Sequence, residues 1–155
     1  MGGLGFRVGV VSFVMFLISF TLVDMLWRGL LGLHLYSKHM GDVTINPRPL
    51  PATLFYLIYP LAVSHFVIWP ELLDTELPRA ARARIVLMES FLFGASMFGL
   101  FGLANHALIS NWPWMMVGID FAWGALLTTA CAFFACKVVL SIYREQYAQS
   151  LIFQQ

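Results

Sequence analysis

Charge is what this chain has least of. Only 11% of its 155 residues are Asp, Glu, Lys or Arg, while 60% are hydrophobic, and the mean hydropathy is +0.80. Water-soluble domains carry about 25% charged residues, so this balance excludes one and implies an integral membrane protein. Nine basic and eight acidic residues leave a net charge of +1, and no nucleic-acid partner is expected from so weak a field. Cysteine is nearly absent too. Cys131 and Cys136 stand five apart in one apolar run, leave a helix in different directions and do not bridge, so they read as small core residues. No His or carboxylate pair has a metalloenzyme spacing such as H-E-x-x-H. No nucleophile stands beside a base, no glycine loop is built to cradle phosphate, and no haem or quinone box is present. The expectation is therefore a non-catalytic protein with no catalytic residues, metal site or cofactor. Low-complexity tracts are missing, and the polar loops are too short for a second domain.

What fills the chain instead is long apolar runs. A helix needs about 20 apolar residues to cross the hydrocarbon, and the runs over 8–27, 52–69, 85–109 and 114–136 reach that length. They predict an all-α fold, a four-transmembrane-helix bundle forming one membrane domain over 1–155, with a C-terminal helical tail over 137–155. The first run is too long for a signal peptide and lacks a small-residue cleavage site, so it reads as an uncleaved anchor. Phe6 occupies the place where myristoylation wants Ser or Thr. "RGLLGLHLY", starting at Arg28, either continues the first helix or turns to lie along the interface. "INPRPLP" reads as a non-helical loop, Pro60 predicts a kink, and "SNWPW" reads as a hairpin whose Trp112 and Trp114 suit the headgroup layer.

Four crossings put both termini on one side. That side holds Arg7, Arg79, Arg82, Arg84, Lys137 and Arg144, and the other holds Arg28, Lys38 and Arg48. The positive-inside rule then places both termini in the cytoplasm or the mitochondrial matrix. The same charge pattern suits either a bacterial or a mitochondrial inner membrane.

The few polar residues inside the runs fall into layers. Asp24 lies near the outer end of the first run, and Asp120 about six residues, or roughly 9 Å, in from the outer end of the fourth. Each precedes a tryptophan by three positions, Trp27 and Trp123, which places carboxylate and indole on one helical face. Tyr56 and Tyr59 of the second run and Asn105 and His106 of the third fall at similar depth. A lone carboxylate in hydrocarbon costs about 2.5–3.5 kcal/mol on the insertion scale, so facing donors within the bundle are expected. Such a layer either holds the helices together or forms an intramembrane site for a ligand or proton. Nearer the inner surface His65 and Glu89 are placed to pair, unless Glu89 snorkels to water or meets Arg82 or Arg84. Gly94, Gly99 and Gly102, with Ala95 and Ala104, give the third run a surface for close helix packing.

Several stretches carry a family resemblance. "LVDMLWRGLLGLHLY", "PATLFYLIYPLAVSHFVIWP" and "GLANHALISNWPWMMVGIDFAWGALLT" resemble the small membrane-protein family called domain of unknown function 2177. The most specific parts are Asp24 with Trp27, "LFYLIY" at 54–59, Asn105 with the "NWP" hairpin, and "IDFAWG" with Asp120, Trp123 and Gly124. The resemblance implies a four-helix membrane protein and no defined activity. It also exposes a departure. The family pattern has a tyrosine-rich third span ending in Asp-Leu-Thr-Asn, but this chain reads "MFGLFGLAN" over 97–105. Gly102 stands for the aspartate, Ala104 for the threonine, and Phe98 and Phe101 for tyrosines, leaving Asn105 alone.

Two functions follow as expectations. One is an accessory or structural subunit of a larger membrane complex of respiratory, ATP-synthesising or photosynthetic type, with membrane lipids and protein chains as partners. The alternative is a small proton-linked carrier or lipid-handling protein working through the outer layer, as a homodimer joined by the small-residue face of the third span. The paired Asp-x-x-Trp motifs would then mark a weak internal symmetry.

Overall fold

Inside a bilayer no water is available to the peptide groups, so the chain must bond to itself, and a helix does this within one segment. The computed structural model describes residues 2–39, 48–73 and 79–143, and over those residues its regular structure is entirely helical. α1 (Gly2–Trp27) runs through a π-helical turn at Arg28–Gly32 into α2 (Leu33–His39). α3 (Pro49–Val63) runs through a second π turn at Ser64–Ile68 into α4 (Trp69–Leu73). α5 (Arg79–Leu108) and α6 (Trp114–Ile142) complete the chain. Four stretches are long and apolar enough to cross a membrane, Gly5–Gly32, Pro49–Leu73, Arg82–Leu108 and Trp114–Ile142. Each overruns its apolar run, because the helix continues through polar flanks once started.

One open alternative is settled and one local expectation changes. "RGLLGLHLY" continues the first helix and does not turn away, the extra residue being absorbed by the π turn. Pro49 and Pro51 belong to the first turn of α3 and not to a loop, since the amides that proline lacks have no helical acceptor there. Pro60 lies inside α3, and the π turn follows it at once. The predicted tail is helical as far as Ile142, and 144–155 lies outside the described residues.

The helices alternate in direction. Near the start of α1, a Cβ at Gly9 would stand 3.1 Å from the Trp69 ring, and one at Gly5 would stand 3.4 Å from Leu73. Leu72, Arg82 and Lys137 line a common cavity, so α4, the start of α5 and the end of α6 meet at this same end. Asp24, Tyr56 and the hairpin between α5 and α6 lie at the other.

Lipid tails are as apolar as leucine, so burial alone does not drive helices together; close fit and polar contacts must. The largest interface joins α5 to α6. A Cβ at Gly94 would overlap the Gly124 carbonyl, one at Gly99 would reach within 2.7 Å of the Phe121 ring, and one at Gly124 would overlap Phe98. The small-residue face predicted on the third span therefore exists, but α6 of the same chain occupies it, which removes it as the seam of a homodimer. Between α1, α3 and α5 the filling is aromatic. Phe20 lies 5.5 Å from Phe16 and 5.0 Å from Tyr59, and Tyr59 meets Phe93 and Phe98 at 6.0 and 5.6 Å. Cys131 and Cys136 are buried and unbridged.

Candidate functional site

Three helices meet on one carboxylate. Asp24, on the last turn of α1, has no solvent exposure. Its Oδ1 accepts from Trp123 Nε1 on α6 at 2.9 Å, and its Oδ2 accepts from Tyr56 OH on α3 at 2.8 Å. Arg28 Nε, at the start of the π turn that follows α1, closes on Oδ2 at 2.7 Å. The i,i+4 spacing brings Asp and Arg to one face, and the Arg28 side chain stays half exposed while the Asp24 side chain is fully buried. Arg28 Cζ also lies 5.8 Å from the Phe55 ring centre. Trp27 stacks on Trp123 with ring centres 4.2 Å apart and planes within 15°, which fixes the indole that donates to Asp24. The carboxylate is thus matched by a cation, a phenol and an indole, and its chemical capacity is to hold α1, α3 and α6 in register.

The predicted layer divides in two. Asp24, Trp27, Tyr56 and Trp123 come together. Tyr59 points deeper, where its hydroxyl shares a 2.6 Å hydrogen bond with Thr128. Asn105, His106 and Asp120 belong to the hairpin of α5 and α6. His106 Nδ1 lies 2.6 Å from the Trp112 carbonyl, and its ring lies 4.1 Å from that of Trp114. Asn105 accepts the Ile109 amide on its carbonyl at 2.8 Å, and its Nδ2 is buried without a hydrogen-bond partner among the described residues. Asp120 is 7% exposed and faces α5, its Oδ2 lying 3.4 Å from where a Cβ on Gly102 would stand. An aspartate at Gly102, as in the family pattern, would press carboxylate against carboxylate.

Asp120 and Trp123 therefore serve different neighbours, although the three-residue spacing suggested one face. Three residues turn a helix by about 300°, and α6 lies between α1 and α5, so the 60° between them suffices to separate the two contacts. The Asp-x-x-Trp copies are accordingly not equivalent. Trp112 is buried against Phe101 at 5.9 Å, whereas Trp114 is exposed, so only one hairpin tryptophan faces outward as expected. The inner pair does not form. His65 and Glu89 are both exposed, and His65 packs on Phe66 and Trp69 of its own helical run. No group of three or more metal-binding side chains gathers among the described residues.

Arg28 and Thr128 join these contacts from outside the predicted layer. Arg28 was legible, standing four residues after Asp24 in a continuous helix; Thr128 carries no comparable signal. Tyr59→Phe, which removes only the bond to Thr128, is expected to cost about 0.6–1.7 kcal/mol, the range for interhelical hydrogen bonds in bilayers. Reversible unfolding in mixed detergent micelles measures it, and a cost above 3 kcal/mol would mean that the hydroxyl does more than this contact shows.

No curated protein and no solved structure matches the chain. The family pattern described as predicted membrane protein, domain of unknown function 2177, matches residues 9–137, which takes in most of all four membrane helices and the residues around Asp24, and the chain belongs to that family.

Proposed function

We propose that this protein is a non-catalytic accessory subunit that docks sideways, within the bilayer, against a larger membrane complex of respiratory, ATP-synthesising or photosynthetic type. The membrane would be a bacterial or mitochondrial inner membrane, with both termini on the cytoplasmic or matrix side. One observation carries the reading: the buried carboxylate Asp24 is spent on holding the bundle itself, while the ionisable Glu89 and His65 face outward. Asp24 is closed by Arg28, Tyr56 and Trp123. Glu89 and His65 are exposed on the outer surface of the helices and make no hydrogen bond or ion pair among the described residues. Glu89 lies about 10 Å along α5 from Arg82, from the helical rise, between the exposed apolar side chains of Met88 and Leu92. A carboxylate there is costly against lipid and is relieved by a cation or donor on a neighbouring chain. A carrier has the opposite requirement, since its titrating groups must line an internal path.

The test is the mass of the gently extracted particle with every co-purifying chain identified. Stoichiometric partner chains are expected with the wild type, and Glu89→Leu is expected to release them while leaving the unfolding free energy of the isolated protein within about 0.5 kcal/mol, as for an exposed position. A particle containing only this chain and lipid would overturn the reading.

A further inference from the structure

α5 has two unlike faces. At about 100° per residue, Gly94, Phe98 and Gly102 fall together on one side, where they meet α6. Glu89, Leu92, Ser96, Leu100 and Leu103 fall together on the opposite side, and all five are exposed. This outward stripe runs roughly 21 Å along the helix, from the helical rise. Leucines fill most of it, with Leu92 61% and Leu100 63% exposed, and it carries one carboxylate near its inner end and one hydroxyl two turns further along. The membrane span of α5 opens at Arg82, so Glu89 stands about 10 Å inside it, deeper than the ammonium of a lipid headgroup. Arg82 itself is only 5% exposed, and Arg84 leaves the helix about 140° away from Glu89. A cation that meets Glu89 at this depth has to arrive on a protein side chain, and in hydrocarbon a helix is what carries it there.

We propose that the partner lays a transmembrane helix along the stripe from Glu89 to Leu103 and presents a lysine or arginine opposite Glu89. Intramembrane charges pair with one another in this way, and the small Ser96 side chain allows close approach and offers a hydrogen bond across the seam. The inference rests on the subunit reading above and adds to it the face that is used and the chemistry of the chain that covers it.

The experiment places the photoreactive amino acid p-benzoylphenylalanine at position 92 of the stripe, or at position 126, where Leu126 is 64% exposed on α6, in the full chain in its native membrane, and sequences the peptides joined on illumination. Position 92 is expected to join a membrane-spanning peptide of another protein that contains Lys or Arg, and position 126 to join lipid alone. Glu89→Gln is expected to lower the yield at position 92 about fivefold, the scale of one polar contact between helices in a bilayer, and Glu89→Asp to keep most of it. Partner chains that co-purify but join only at position 126 would overturn the docking face and leave the subunit reading standing. A joined helix without a basic residue, or an undiminished yield in Glu89→Gln, would overturn the cation in the same way. A second copy of this chain at position 92, or lipid alone there, would overturn the proposal, and the absence of any co-purifying chain would remove the subunit reading and this inference together. The joined peptide is read with Glu89 in place, so it decides the face even if Glu89→Gln does not fold.

Discussion

Asp24→Ala is expected to destabilise the bundle by about 3 kcal/mol, the low end of the cost of breaking a buried ion pair by removing one partner. Opposing terms set this figure. Removal strands the Trp123 indole and the Tyr56 hydroxyl, which bonded to it at 2.9 and 2.8 Å, and hydrogen bonds to a charged group contribute about 1.5–3 kcal/mol each. Against this, the substitution relieves the desolvation of a carboxylate that has no exposure. Arg28 is half exposed and reaches water when released, so it adds little to the loss. Tyr56→Phe, which leaves the ion pair and the indole in place, should cost about 1.5–2 kcal/mol, the low end for a hydrogen bond to a charged group. The decisive measurement is a double-mutant cycle of Asp24→Ala with Arg28→Ala, read by reversible unfolding in mixed micelles. A coupling of about 0.5–1 kcal/mol is expected, the upper part of the range for a partly exposed pair. Additive effects would show that the 2.7 Å contact contributes nothing, and a cost for Asp24→Ala no larger than for Tyr59→Phe would dismiss the carboxylate as the fastening of three helices.

The second large effect lies at Gly94. An alanine there would place its Cβ on the backbone carbonyl of Gly124 and against the Thr128 side chain, and a backbone atom cannot rotate away. The hairpin would have to open along its largest interface, so Gly94→Ala is expected to cost at least about 3 kcal/mol, the upper part of the overpacking range. Gly99→Ala should cost less, because the atoms it meets at 2.7 Å belong to the Phe121 ring, and that ring is half exposed. Gly118 also lies inside α6 but has nothing within 4 Å of a Cβ. Gly118→Ala is therefore expected to raise stability by up to about 1 kcal/mol through helix propensity alone. Equal effects at Gly94 and Gly118 would mean that propensity and not close approach governs these glycines.

These two sites show how much of the molecule was legible along the chain. Apolar runs of about 20 residues admit only helices in a bilayer, so the four spans were readable without any contact being known. Asp24, Tyr56 and Trp123 were readable as one layer, because the helical rise fixes depth. Direction around each helix was not. Nearly every position is apolar on all sides, so no amphipathic stripe tells the lipid face from the packed one. Depth alone accordingly groups Asp120 with Asp24 and leaves open which helix covers the glycine face of α5, which turns out to be α6.

The sequence by itself determined the helices, their number, their depth registration and the need for a donor to every buried carboxylate, all consequences of length, hydropathy and the cost of polar groups in hydrocarbon. Only the tertiary structure decided which donors answer. Rotation about each axis costs almost nothing until side chains meet, and the meeting of Asp24 with Trp123, 99 positions apart, and of Gly94 with Gly124 is settled by fit between helices, for which the linear pattern holds no signal.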